Sequence, residues 1–178
     1  MSKYTLTRAL GLTLLVLGLG FGLSACKSAA DKTVESAIES TTGTDVDVDS
    51  SQNRVAVNVN GTSWETGDQV SLPANFPEDI YVVEGTLKVA IANDAVGGFT
   101  VSLETGTSVS DVKALYLKEF AADGWTITGS VDIQGSSSVM ATKAKRSTTV
   151  TIGANEDKSK TIVSISTYTD TSPAAPEA

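Results

Sequence analysis

From Asp45 onward, apolar residues recur at every second position in one short segment after another. Between Ser108 and Phe120 the rhythm gives way to a spacing of three and four. Period two marks a half-buried strand; the three-four spacing marks a helix with one apolar stripe. Val46 and Val48 alternate with Asp45, Asp47 and Asp49, and Val55, Val57 and Val59 follow, so residues 45–60 read as an N-terminal β-hairpin. Leu87, Val89 and Ile91, then Phe99, Val101 and Leu103, predict a second hairpin turning at Gly97-Gly98. Ser108 and Asp111 cap a helix over about 108–122 whose stripe is Val109, Val112, Leu115, Tyr116 and Phe120, and Gly124 ends it. Strand rhythm resumes at Trp125, Ile127 and Gly129. It continues with Val139 and Ala141 after a turn at 135–138, then Val150 and Ile152, and finally either Ile162 with Ser164 or Val163 with Ile165 facing inward. The expected fold is α+β: a two-layer domain, mainly antiparallel sheet with one packed helix, preceded by the N-terminal hairpin.

The residues ahead of this pattern have a different make-up. Lys3 and Arg8 give a short positive end, Leu10 to Phe21 an apolar run, and Ser24 and Ala25 precede Cys26, the only cysteine. That order is an export signal, and a run holding Gly11, Gly18 and Gly20 is too short for a spanning helix of roughly 20 apolar residues. Leu23-Ser24-Ala25-Cys26 resembles the lipobox of bacterial lipoproteins. The resemblance implies recognition of Leu23, Ser24 and Ala25, cleavage before Cys26, a diacylglyceryl thioether on the Cys26 sulfur and, in many bacteria, a further acyl chain on the new amino group. It places the protein on the cell membrane or outer membrane with its folded domain outside the cytoplasm. Lys27 stands where the family uses Asp for inner-membrane retention, which favours the outer membrane in cells that have one. Cysteine suits the position because its thiolate forms thioethers readily, and two or three acyl chains hold where one does not. Lipidation also accounts for a single cysteine in an exported chain without a disulfide framework. The expected organisation is a signal peptide at 1–25, a flexible tether at 26–44, one domain at 45–170 and a disordered tail at 171–178. The tether is rich in Ser, Thr, Ala, Asp and Glu, and a short helix around Asp31 to Ser40 would be marginal by itself.

Between the first two hairpins lies a crossover, 61–80, that leads into a core at 81–170. Pro73 and Pro77 fix their own φ and push Leu72 and Phe76 toward extended geometry, while Leu72, Phe76 and Ile80 are spaced to pin the segment down. Leu72-Pro73-Ala74-Asn75-Phe76-Pro77-Glu78-Asp79 resembles a Leu-Pro-x-x-Phe-Pro-x-Asp segment in a loose group of small bacterial lipoproteins, many without an assigned function. Gly124-Trp125 is similar to the pair that ends their helix. This resemblance implies a compact β and α domain and carries no chemistry.

Charge and composition exclude several classes of function. The formal charge of −8 becomes −10 once Lys3 and Arg8 leave, which repels nucleic acid, and no basic-aromatic cluster reverses that. The chain has no histidine, so His-based triads and His metal ligation are ruled out. Nucleophile-elbow, P-loop and dinucleotide motifs are missing, no Ser-x-x-Lys has a supporting set around it, and no cofactor is expected. A carboxylate pair drawn from Glu84, Glu104 and Asp132 is the remaining catalytic route, in sequence contexts that look solvated. The expectation is therefore not an enzyme.

Two readings remain. One is an interaction or structural module of the cell envelope, held on the membrane through lipidated Cys26 and contacting another envelope protein. The alternative is a binding module for a small solute, a cell-wall component or a divalent cation. Candidates for ligand or partner contact are Trp64, Tyr81 and Trp125 and the basic turn Lys143, Lys145 and Arg146. Asp45, Asp47 and Asp49 have the alternate spacing of a calcium loop, but Ser50 stands where that loop wants Gly and Ala56 where it wants Glu, which leaves them weak candidates.

Overall fold

The computed structural model describes residues 29–93 and 95–170; the expected signal segment with Leu23, Ser24, Ala25 and Cys26 and the tail 171–178 lie outside them. The elements are α1 (Ala29–Thr42), β1 (Asp45–Asp49), β2 (Arg54–Val59), β3 (Thr62–Thr66), β4 (Thr86–Asn93), β5 (Gly98–Thr105), α2 (Val109–Ala122), β6 (Thr126–Ile133), β7 (Ser136–Lys143), β8 (Arg146–Ala154) and β9 (Thr161–Thr169). All nine strands join one antiparallel sheet in the order β1-β2-β3-β4-β5-β9-β8-β7-β6. The domain is a mixed α+β fold with helices packed against this sheet.

Helix α2 begins where Ser108 accepts a hydrogen bond from the Asp111 N–H, at 3.2 Å. It lies across β6, β7 and β8 and buries Val112, Tyr116 and Phe120. Beneath it the strand alternation supplies three cross-strand rows: Val101, Ile165, Val150 and Val139; Leu103, Val163, Ile152 and Ser137; and Phe99, Thr167, Thr148 and Ala141. All twelve side chains are buried. The pairing resolves the alternatives for the final strand, since Val163 and Ile165 face the core and Ile162 does not.

Three boundaries differ from expectation. The flexible stretch expected at 26–44 is corrected by α1, which runs antiparallel along β1. Glu35 accepts from the Val48 N–H at 2.7 Å, Glu39 from the Val46 N–H at 3.4 Å, and Asp31 from the Ser50 hydroxyl at 3.1 Å. Carboxylates thus stand in for a neighbouring strand on an otherwise open sheet edge. The crossover expected at 61–80 instead begins with β3, which joins β2 through the two-residue turn Asn60-Gly61, where both residues have positive φ. Hairpin β1–β2 is therefore continuous with the main sheet and does not stand in front of it. The third difference is the turn expected at 135–138, which is the tighter pair Gln134-Gly135.

The remaining irregular segment, 67–85, closes the α2 side of the sheet. Val70, Ile80 and Val83 are buried there and Phe76 meets Phe99 edge-on at 5.8 Å, whereas Leu72 is exposed. The Tyr116 hydroxyl accepts from the Val83 N–H at 3.5 Å, and burial pushes that phenol well above its ordinary pKa.

Candidate functional site

The first turn of α2 and the β6–β7 hairpin enclose an open cleft of about 570 Å³. Its floor is ionic. Lys113 donates to both carboxylate oxygens of Asp132, at 2.8 and 2.7 Å, and the Ser137 hydroxyl donates to one of them at 2.6 Å. Lys113 first, then Ser137, hold Asp132 below the ordinary carboxylate range against a small desolvation effect. Val109 and Ile133 supply apolar wall, and Ile133, 65% exposed, is the most exposed large hydrophobic side chain among the described residues. Ser110 and Ser136 add hydroxyls at the rim. A cation, an anion, hydroxyls and apolar carbon thus share one concave surface, the mixture that orients a small ligand with a polar head and an apolar body. The sequence reading of Asp132 as a solvated carboxylate missed this cleft. Ser137 lies opposite Asp132 only through strand register, and Lys113 arrives from a helix 19 residues away.

The residues singled out from the sequence do not assemble into one site. Trp125 is core, 4% exposed, with its indole N–H donating to the Asp79 carbonyl at 2.9 Å. It continues an aromatic chain in which Tyr81 meets Tyr116 edge-on at 5.4 Å, Tyr116 packs on Phe120 at 5.6 Å and Phe120 on Trp125 at 5.5 Å. Lys143 and Arg146 are used internally. Both pair with Asp79, Lys143 at 3.0 Å, and the Lys143 ammonium lies 5.9 Å from the Trp125 ring centroid. Desolvation raises the Asp79 pKa, but the Lys143 hydrogen bond and the charges of Arg146 and Lys143 outweigh it and leave it below the usual value. These two cations therefore clamp the crossover onto the β7–β8 turn. Lys145 is exposed in that turn, where its carbonyl accepts from the Asp170 N–H at 2.7 Å.

Trp64 lies on β3, 52% exposed, on the face of the sheet away from α2. Asp45, Asp47 and Asp49 share the other face of β1 but hold different partners. Asp47 pairs with Arg54 at 2.6 Å, and buried Asp49 accepts from the Ser51 N–H at 3.1 Å to cap a short 3₁₀ turn. Among the described residues no group of three or more Cys, Asp or Glu side chains could hold a metal ion. Glu84 is exposed in the loop before β4, and Glu104 is half-buried on the outer face of β5.

Residues 84–165 match a family model described as START domain-like. The matched stretch runs from just before β4 into β9 and contains α2 and the whole cleft. No curated protein and no solved structure gives a match.

Proposed function

We propose that this protein is a non-enzymatic binding module for a small amphipathic solute, carried outside the cytoplasm on lipidated Cys26. The observation that carries the reading is the cleft of Lys113, Asp132, Ser137, Val109 and Ile133, which lies wholly inside the START domain-like segment. A likeness of that kind favours a small-molecule or lipid ligand over a purely structural envelope role. The anchor rests on the Leu23-Ser24-Ala25-Cys26 motif, and no described helix is long and apolar enough to cross a membrane.

In this scheme Lys113 offers its ammonium to the ligand's polar head while Ser137 keeps Asp132 oriented. Val109 and Ile133 cover the apolar body. Titration with dansylaminoundecanoic acid as the fluorescent probe tests this. Saturable enhancement should weaken about tenfold in both Lys113→Ala and Ile133→Asp, the loss corresponding to about 1.4 kcal/mol, and persist in Trp64→Phe. Enhancement that never saturates, or that both cleft variants leave intact, rejects the cleft as the site. Anchoring has a separate test: an alkyne-bearing palmitate analogue should label the wild-type chain and fail to label Cys26→Ala.

A further inference from the structure

The face of the sheet away from α2 changes character along single rows of paired residues. One row reads Met140, Thr149, Ser166, Thr100 and then Ile91, Trp64, Val57, Val46. Its β7, β8, β9 and β5 part is largely hydroxyl-bearing, and its β4 to β1 part is wholly apolar. The neighbouring row adds Val48, Val55 and Val89, and Val59 extends the patch along β2. Trp64 is 52% exposed, Val59 40% and Val55 37%. An apolar patch centred on an exposed Trp marks an interaction surface.

What covers it follows from where the chain enters. Helix α1 starts at Ala29, three residues after Cys26, so at most about 11 Å of extended chain separates the lipidated residue from the folded domain. Because α1 runs antiparallel to β1, with Asp31 bonded to Ser50, its start lies at the β1–β2 turn, beside the end of the patch that holds Val48 and Val55. An acyl chain on Cys26 therefore holds this corner of the sheet against the bilayer. We infer that the β1–β4 face, centred on Trp64, docks on the lipid surface, with the indole in the interfacial region that favours tryptophan. The acidic charge of the chain favours uncharged or zwitterionic headgroups over anionic ones. This inference rests on the lipid anchor proposed above.

The test uses the full-length, acylated protein reconstituted in phosphatidylcholine vesicles. Emission lost in Trp64→Phe defines the Trp64 signal, and buried Trp125 serves as the internal reference. Brominated phosphatidylcholine should quench the Trp64 signal about twofold, and vesicles should protect it from aqueous acrylamide. Val59→Glu should abolish both effects while the protein still floats with the vesicles. Wild-type protein that floats with Trp64 fully open to acrylamide overturns the docking and leaves the anchor standing. Protection that appears without vesicles and grows with protein concentration means a second copy covers the face, which also overturns it. Failure of the wild-type protein to float removes the anchor and the docking together.

Discussion

The two halves of the sheet carry their apolar residues on opposite faces. In β5, β9, β8 and β7 the side toward α2 is mostly Val, Ile, Leu and Phe and the other side is mostly Ser and Thr. In β1, β2 and β3 the α2 side carries Asp47, Arg54 and Glu65, joined by Arg54 contacts of 2.6 and 3.1 Å, while the valines and Trp64 turn the other way. The hydrogen-bond ladder is continuous across the change, so backbone pairing does not decide which face is dry. The covering element does: α2 and the crossover shield one face of the larger half, whereas α1 lies along β1, where Val46 is buried, and leaves Val55, Val59 and Trp64 exposed. One sheet thus holds a closed core and an extension whose apolar face stays largely exposed.

That contrast can be broken or sharpened by substitution. Phe120→Ala empties a fully buried site under α2 and should cost about 3–5 kcal/mol, read as a lower urea midpoint for the whole domain. Gly67→Ala strikes the junction between the halves, since its φ of 137° disfavours a side chain and a Cβ would run into the Asn53 carbonyl oxygen. It should cost more than about 1 kcal/mol. Amide exchange should quicken in β1–β3 and stay slow in β5, β8 and β9; equal quickening in both halves would show that they melt as one.

Asp79→Asn loosens the clamp on the larger half by about 1 kcal/mol, reduced by salt because all three partners are about a third exposed. The sign follows from the lowered folded-state pKa of Asp79. Its contribution is complete above the unfolded value near 3.9 and is lost as pH falls through the folded value, so the variant should show a shallower decline in acid melting curves. Smallest of all, Val59→Glu should shift the melting stability of the protein free of lipid by no more than about 0.5 kcal/mol. A large loss there would mean the smaller half needs its valine face covered by its own chain.

Legibility in the sequence followed the same division. The helix at 108–122 and the strands around it were readable because one side of each is dry, so composition repeats the geometry. Val46, Val48, Val55 and Val57 gave their strands by the same rule but hid that they face away from the α2-side core, because alternation carries no sign. The turn Asn60-Gly61 is a strong hairpin signal, yet β3 was overlooked because Ser63, Glu65 and Thr66 dilute its alternation and Trp64 stands alone. Glu35 and Glu39 fall in the stretch expected as a flexible tether, and their role on the β1 edge exists only once β1 is in place. Lys143 and Arg146 read as candidates for an outside contact because their partner, Asp79, is more than sixty residues away.

Strand β9, the last of the described strands, sits at the centre of the sheet between β5 and β8. Until Thr161–Thr169 is available, β4–β5 and β6–β8 are two fragments with raw edges and no shared ladder. A chain made N-terminus first therefore cannot complete its domain until Thr161–Thr169 has followed. Premature termination ahead of β9 would leave Val101 and Val150 without the Ile165 that lies between them, a species suited to degradation or aggregation. Under the anchor proposed above, the acyl group would join near the N-terminal end of the chain, so anchoring could precede folding and the sheet would then close at the bilayer surface.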